Sequence, residues 1–328
     1  MRPAKKRLFV LACCVCAIVV LCLAGVIWNH TATRADMKKY PPKGQMVNVF
    51  DCKMHVFSAG GEGPTVVLLS GWGTTSPTID FYPLWSRLQA YARVVVLERS
   101  GYGWSEETTR SRTVQNIVEE DRVALQQAGI SPPYYFVAHS MGGLEAALFA
   151  KNYPDETVGV LLIDSMAPDI TLEESNGAIS FMDQLVPSFK AIGLLRLINA
   201  VVPSVIDGQY AKQNDYKFVD ESLLPAERAI TLKNAQSKMM RKEWDMLQKN
   251  AQYVKETGFP KSVPLIAVMS DKDIDNPRYS EMLEAQKAWV NQSSAGELIT
   301  LHGGHYLYHY DPDGVCGFIQ EMIKESTP

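Results

Sequence analysis

Short apolar runs that alternate with helical stretches constrain this chain more than any other feature of its sequence. Each run has the length of a strand and few polar residues, and the runs cover residues 65–69, 93–97, 134–138, 158–163, 264–269 and, more weakly, 298–301. Strands this apolar are buried on both faces, as in a parallel sheet covered by helices. Helical patterns lie between the runs, at 81–91, 114–128, 143–152 and 279–290. The alternation predicts an α/β fold with a parallel sheet and flanking helices.

One long interval interrupts this alternation. Residues 167–257 contain no strand-like run, only helical patterns such as 191–202 and 227–253. An insertion of this length between two core strands is expected to form a helical cap over one edge of the sheet. Because a short predicted hairpin at 46–49 and 54–58 precedes the first core strand, the globular domain is predicted to cover 46–328.

The N-terminus carries an apolar run from residue 8 to residue 28 that no charge interrupts. A helix of this length spans a hydrocarbon core of about 30 Å. Four basic residues precede it within 1–7, which predicts a cytoplasmic N-terminus and a globular domain outside the cytoplasm. Residues 29–45 are polar and basic, with two prolines, and are predicted to be a linker. The alternatives are a cleaved signal peptide, whose apolar core is usually shorter, and a buried core helix.

Composition excludes several classes of protein. The chain is 46% apolar and 21% charged, which is ordinary for a folded globular protein and argues against wholesale disorder. The net charge is −4, from 32 basic and 36 acidic residues, so nucleic acid is not an expected partner. Four of the six cysteines lie in the N-terminal apolar run. Cys52 and Cys316 remain, and they can form at most one disulfide. No metal-binding pattern is present, and no cofactor is expected.

Ser140 lies in the motif that most strongly indicates a catalytic function. The sequence Ala-His-Ser-Met-Gly-Gly, residues 138–143, follows a predicted strand and opens a predicted helix, which is typical of a nucleophile elbow. A sharp turn of this kind strains the serine backbone and exposes its hydroxyl. The small residues Ala138 and Gly142 suit the crowded positions on either side. Ser140 is therefore the predicted nucleophile.

A serine hydroxyl needs a general base, and a glycine-rich loop near the C-terminus offers two histidines. The loop reads Leu-His-Gly-Gly-His-Tyr, residues 301–306. His305 is the predicted base because the loop can carry it across the edge of the sheet. His302 is the alternative, but it directly ends the strand and is expected to pack or to face solvent.

The base needs an orienting carboxylate, which on this type of fold is expected between the serine and the histidine in the chain. Asp273 is the predicted acid because it follows the strand 264–269 after a small residue and two spacers. Asp271 is the next candidate, and Asp275 is expected at the surface. Asp164 ends another strand and could also reach a histidine, although a role in ordering a loop is the other explanation for it.

Two backbone N–H groups are needed to stabilise the oxyanion of a tetrahedral intermediate. Met141 N–H is one candidate because of its position after the nucleophile. The other is expected in the loop that follows the first core strand, Ser-Gly-Trp-Gly at residues 70–73. Trp72 N–H is the predicted second donor.

These motifs together resemble the α/β-hydrolase superfamily over roughly residues 46–324. In the family's order, the chain carries Gly-Trp-Gly (71–73), Glu-Arg-Ser-Gly-Tyr-Gly-Trp-Ser (98–105), Ala-His-Ser-Met-Gly-Gly (138–143), Ser-Asp-Lys-Asp (270–273) and Gly-Gly-His (303–305). The resemblance implies an eight-stranded, mostly parallel sheet and hydrolysis through an acyl-enzyme. Ser70 stands where the family usually has histidine, and Ala138 where it usually has glycine. The block 98–105 is interpreted as a structural turn.

The predicted function is therefore hydrolysis of a small-molecule or lipid-like ester or thioester. A serine nucleophile argues, within this family, against epoxide hydrolases and haloalkane dehalogenases, which the resemblance would otherwise allow. Acyl transfer and peptidase or amidase chemistry use the same triad and stay open. A membrane-tethered binding protein without catalysis is the alternative from another class, since fold does not determine function.

Overall fold

The computed structural model describes residues 3–169, 181–203, 217–272, 274 and 279–326. Its strands are β1 (Gln45–Val49), β2 (Cys52–Ala59), β3 (Thr65–Leu69), β4 (Arg93–Glu98), β5 (Tyr134–His139), β6 (Thr157–Ile163), β7 (Leu265–Ser270) and β8 (Gly296–Leu301). Its helices are α1 (Pro3–Lys39), α2 (Pro77–Asp80), α3 (Tyr82–Leu88), α4 (Val114–Gln127), α5 (Gly142–Asn152), α6 (Phe181–Ala191), α7 (Leu194–Val201), α8 (Leu224–Asn234), α9 (Lys238–Thr257), α10 (Tyr279–Val290), α11 (Leu307–Tyr310) and α12 (Pro312–Ser326).

The strands form one eight-stranded sheet in the order β1-β2-β4-β3-β5-β6-β7-β8. The β1–β2 and β2–β4 pairs are antiparallel, and every later pair is parallel. The prediction of a mostly parallel α/β sheet is confirmed. The strands β3, β5 and β7 are buried along their whole length, as their continuous apolar sequences require, whereas the weakly apolar β8 is the partly exposed edge strand.

Helices cover both faces of the sheet. One apolar core joins the sheet to α4, α5, α9 and α10, and a second core joins it to α3, α11 and α12. Cys52 belongs to the first core and Cys316 to the second, and both thiols are free. Two faces covered by helices explain why the core strands lack the apolar–polar alternation of a half-exposed sheet.

The described segments between β6 and β7 include four helices, α6 to α9, and no strand. The pattern at 227–253, predicted to be helical, is divided between two helices, α8 and α9. The break lies at residues 235–237, where Gln236 has a φ of +48° and the Ser237 hydroxyl accepts a hydrogen bond from Met240 N–H at 3.2 Å. A serine N-cap therefore starts α9 within an otherwise helical pattern.

Helix α1 differs from its prediction in its C-terminal third. It continues to Lys39, so residues 29–39, predicted to belong to a linker, are helical. Polar side chains of this stretch bind the cap, since Arg196 of α7 donates to Asp36 Oδ2 at 2.6 Å and to Thr33 Oγ1 at 3.1 Å. The apolar part of α1 is exposed, and α1 is the one described helix long and apolar enough to cross a membrane, properties that a signal sequence shares.

The end of β4 and the loop after it form a tightly packed turn around a buried carboxylate. Glu98 Oε1 accepts from the Thr78 hydroxyl at 2.8 Å, and Glu98 Oε2 accepts from Trp104 N–H at 2.8 Å and lies 2.9 Å from His55 Nδ1. Gly103 has a φ of +49°, and a Cβ there would lie 1.8 Å from Glu98 Oε2. The glycine is therefore required both by its backbone conformation and by the carboxylate it faces.

Substitution of Gly103 by alanine should destabilise the fold much more than the same substitution at Gly129. Both glycines have a positive φ, of +49° and +70°, but a Cβ on Gly129 meets nothing within 4 Å. Gly129→Ala should therefore cost only the left-handed backbone penalty, about 1–2 kcal/mol. Gly103→Ala must also displace a buried, hydrogen-bonded carboxylate, and should cost about 3 kcal/mol or more. Urea unfolding measures both, and equal losses would contradict this account of the turn.

Candidate active site

Ser140 lies at the sharp turn between β5 and α5, with a φ of +52°. Its N–H donates to Ile163 O at 3.2 Å, and its carbonyl accepts from Gly143 N–H at 3.1 Å. A left-handed backbone at a non-glycine residue is strained, and such strain is concentrated at functional sites. The geometry agrees with the predicted nucleophile elbow.

A glycine in this turn and a glycine in the loop after β3 allow the two segments to pack closely. A Cβ on Gly71 would lie 2.9 Å from Ser140 Cβ, and a Cβ on Gly142 would lie 2.7 Å from Leu69 O. The loop after β3 therefore presses directly against the serine. The crowding expected around Gly142 comes from the end of β3, since the nearest atoms are the carbonyls of Leu69 and Ser70.

His305 lies beside the elbow and contacts a carboxylate. Its Nδ1 is 2.6 Å from Asp164 Oδ2, and its ring is half-exposed. His139, the residue before the nucleophile, donates from Nε2 to His305 O at 3.0 Å, and the two rings lie 4.6 Å apart. Burial holds the pKa of His139 well below its ordinary value, so His139 is neutral and serves as a hydrogen-bond donor to the loop.

Asp164 directly follows β6 and has a φ of +41°. Its N–H donates to Val268 O at 2.7 Å, and its Oδ1 accepts from Ser270 N–H at 2.9 Å. One carboxylate oxygen therefore ties the ends of β6 and β7 together, and the other contacts His305. Both explanations given for Asp164 from the sequence, loop ordering and contact with a histidine, apply at once.

A second histidine–carboxylate pair lies in the same loop. His302 Nδ1 is 3.0 Å from Asp271 Oδ2, and Asp271 Oδ1 accepts from Gly303 N–H at 3.2 Å. The hydrogen bond from His302 holds the pKa of Asp271 below its usual value. The His302 side chain is 95% exposed, so this pair faces solvent. Asp273, the predicted acid, lies outside the described residues, and its assignment stays a prediction.

Arg99 holds the loop of residues 70–73 through two of its carbonyl groups. This guanidinium donates to Ser70 O at 2.7 Å and to Gly71 O at 2.9 Å. The indole N–H of Trp72 also connects this loop to the cap, since it donates to Met240 O of α9 at 2.7 Å. Among the described residues, neither the Trp72 main-chain N–H nor the Met141 N–H donates a backbone hydrogen bond. Their assignment as oxyanion donors stays a prediction.

Arg99 belongs to a buried charge cluster that joins this loop to the cap. Arg99 Nη1 donates to Glu145 Oε1 of α5 at 2.7 Å, and its Nε lies 3.6 Å from Glu243 Oε2 of α9. Tyr102 OH donates to Glu243 at 2.6 Å, and Arg112 lies 3.2 Å from the other oxygen of that carboxylate. Burial opposes the charge on Arg99, but the two carboxylates hold its pKa well above its ordinary value.

Sequence reasoning assigned residues 98–105 to a structural turn and did not identify Glu145 or Glu243. Both acids lie on helices at positions that the apolar pattern assigns to the buried face. An acidic residue at a buried helix position signals a partner of opposite charge, because a buried unpaired carboxylate is too costly to retain. Their partner, however, lies far away in the chain and could not be named.

The comparisons with known proteins show the family to which the chain belongs. The model of the alpha/beta hydrolase family matches residues 66–318, and the chain belongs to that family. It is 25% identical over 329 residues to the uncharacterized protein YbdG of Bacillus subtilis (strain 168), covering 99% of both chains. It is 30% identical over 139 residues to pimeloyl-[acyl-carrier protein] methyl ester esterase of Vibrio campbellii, covering 39% of this chain and 50% of the esterase.

Among solved structures, the epoxide hydrolase VrEH1 from Vigna radiata superposes with a TM-score of 0.64 at 17% identity, covering 86% of this chain and 97% of that chain. A likeness at this identity shows the fold alone. Family membership and the fold together establish the class of the protein: it is a hydrolase enzyme.

Replacement of Arg99 by lysine should lower kcat while the protein still folds. Lysine keeps the charge but loses the fork that holds both loop carbonyls, so the predicted oxyanion donor after Gly71 should shift. We expect a loss of about tenfold or more in kcat with little change in KM. The control is Arg112→Lys, which perturbs the same cluster through Glu243 but makes no contact with the loop. Equal kcat losses in both variants would contradict a positioning role for Arg99.

Proposed function

We propose that this hydrolase cleaves carboxylic esters through an acyl-enzyme, with Ser140 as nucleophile, His305 as base and Asp164 as the acid that orients it. The observation that carries the proposal is the 2.6 Å contact between His305 Nδ1 and Asp164 Oδ2 beside the strained serine. It supports Asp164 over Asp271, whose own histidine faces solvent. Asp273 remains the alternative acid.

The proposed reaction begins with attack of Ser140 Oγ on the acyl carbonyl carbon. The hydroxyl proton passes to His305 Nε2, and the Asp164 carboxylate stabilises the imidazolium that forms. The main-chain N–H groups of Trp72 and Met141 stabilise the developing oxyanion, assisted by the positive N-terminal end of α5. When the intermediate collapses, the alcohol leaves with the proton from His305. Water then attacks the acyl-enzyme by the same steps and regenerates Ser140.

Two further features support ester substrates. The nucleophile candidate is a serine with the strained backbone of an elbow, which suits acyl transfer. The Vibrio campbellii relative is, by its name, a methyl ester esterase. Thioester hydrolysis, amide hydrolysis and acyl transfer to another acceptor use the same residues, and a panel of substrates distinguishes them.

We also propose that residues 8–28 anchor the protein in a membrane, with the hydrolase domain outside the cytoplasm. The exposed apolar surface of α1 and the four basic residues before it support this topology. Trp28 at the end of the run suits the lipid–water interface. A cleaved signal sequence is the competing explanation.

Two histidine–aspartate pairs of similar geometry provide a matched test of the proposed triad. Asp164→Asn should keep the fold and KM but lower kcat by about 10²–10⁴-fold, because the imidazolium loses its counter-charge and its tautomer is no longer fixed. His305→Ala should remove nearly all turnover. The corresponding changes in the exposed pair, Asp271→Asn and His302→Ala, should each leave most activity. Steady-state kinetics with p-nitrophenyl esters measures all four.

Asp273→Asn completes this series. If Asp164 is the acid, this variant should retain most of its activity. A nearly silent Asp164→Asn together with an inactive Asp273→Asn would assign the acid to the loop after β7 and refute our choice. Inactivity of His302→Ala with full activity of His305→Ala would refute the choice of base.

A further inference from the structure

Helix α7 of the cap exposes an apolar surface that no other described element covers. Leu197 is 52% exposed, Val201 is 74% exposed, and the adjoining Val202 is 44% exposed. Leu197 and Val201 are four residues apart, so they lie on the same side of the helix. Large apolar side chains grouped in this way on a short helix mark a contact surface.

The start of α7 packs against the last apolar turn of α1. A Cβ on Gly25 would lie 2.1 Å from Ile192 O, which means that the α6–α7 turn touches the α1 backbone. A Cβ on Gly193 would lie 3.0 Å from the Trp28 ring. The cap therefore contacts α1 at residues 25–28, the last helical turn of the apolar run.

Arg196 fixes the orientation of α7 on the polar part of α1. Its guanidinium donates to Asn29 Oδ1 at 3.3 Å, to Thr33 Oγ1 at 3.1 Å and to Asp36 Oδ2 at 2.6 Å. All three partners follow residue 28, the end of the apolar run. Along the axis of α1, α7 therefore begins next to Trp28, and its Arg196 side chain lies on the polar side of Trp28.

We propose that α7 lies in the lipid–water interface of the membrane that α1 spans, with Leu197, Val201 and Val202 buried among the lipids. This inference rests on the proposed membrane anchor. Residues 25–28 cover only about 4.5 Å of helix, and an interfacial helix buries its apolar face about 5–10 Å into the boundary between headgroups and acyl chains. The start of α7 therefore lies at the depth in the membrane that an interfacial helix occupies. The cap of the hydrolase would contact the bilayer directly.

The experiment attaches an environment-sensitive NBD fluorophore to the full-length protein in phosphatidylcholine vesicles. The exposed cysteines Cys13, Cys14 and Cys16, and the partly buried Cys22, are first changed to serine, while the buried Cys52 and Cys316 stay. NBD is then placed at Leu197→Cys, and in a second protein at Val201→Cys. The control is Glu62→Cys, an exposed position in the β2–β3 loop, at the edge of the sheet opposite to Ser140 and the cap.

Nitroxide-labelled phosphatidylcholine should quench NBD at positions 197 and 201, and should leave NBD at position 62 unaffected. Aqueous iodide should show the reverse preference. If positions 197 and 201 respond like position 62 while the protein resists carbonate extraction, the anchor stands and the interfacial helix is refuted. If carbonate removes the protein from the vesicles, the anchor itself fails, and this inference fails with it. Shielding of position 197 from both quenchers would assign the surface to a second protein copy and refute lipid contact.

Replacement of the exposed apolar side chains of Leu197 and Val201 by serine tests the lipid contact independently. Leu197→Ser with Val201→Ser removes exposed groups only, so the fold and the hydrolysis of a soluble short-chain ester should be unchanged. Lipid quenching of NBD at Val202→Cys in this background should fall about tenfold, because the apolar area that holds the helix in the interface is lost. Unchanged quenching would refute the proposed role of these side chains. If no protein, the unsubstituted one included, hydrolyses the soluble ester, the proposed chemistry is refuted and the inference about α7 is not affected.

Discussion

Parallel pairing of the central strands is the constraint on which the site depends. The register pairs Leu69 of β3 with Ala138 of β5, and Ile163 of β6 with Val268 of β7. Each strand therefore ends at the same edge of the sheet, and the residues that follow the strands meet there. A shift of one residue in any of these pairs would move every side chain of that strand to the other face of the sheet. It would also separate the nucleophile from its partners.

The buried cluster around Arg99 connects this edge to the cap. One guanidinium contacts two carbonyls of the loop that carries Trp72, a carboxylate on α5 and a carboxylate on α9. Removal of one charge from such a cluster leaves another buried and unpaired, which is strongly destabilising. The cluster therefore makes the position of the predicted oxyanion donor depend on how the cap is seated. With α7 at the membrane surface, a path of contacts would run from the bilayer through the cap to the site.

Much of the fold follows from the sequence because its signals are local. The run 65–69 is β3 as predicted, and 279–290 is α10 as predicted, since burial on both faces and helical periodicity both show within a few residues. Two details of the structure could not be read from local signals, the helix at 29–39 and the break between α8 and α9. Residues 29–39 look like a linker because they are polar, but their helix is held by Arg196, which is distant in the sequence. The break between α8 and α9 depends on a single serine cap.

The site shows the same division. Ser140 could be predicted as the nucleophile because its motif is contiguous and lies between a strand and a helix. No single carboxylate could be predicted in the same way, because Asp164, Asp271 and Asp273 all follow core strands, and only the path of the loop at 301–306 decides which of them meets His305. Sequence spacing favoured Asp273, whereas the contact in the structure is with Asp164. A choice of this kind depends on tertiary geometry, which local patterns do not contain.

The most direct test of the central claim, an activated serine at the β5–α5 elbow, is covalent labelling of the full-length protein with a fluorophosphonate. Such a probe phosphonylates a serine hydroxyl that a neighbouring base activates, and it does not require the natural substrate. Peptide mass spectrometry should locate the adduct on Ser140. Labelling should be absent in Ser140→Ala and slowed about 10²-fold or more in His305→Ala, with His302→Ala close to the unsubstituted protein. An adduct on another residue, or undiminished labelling of Ser140→Ala, would contradict the account.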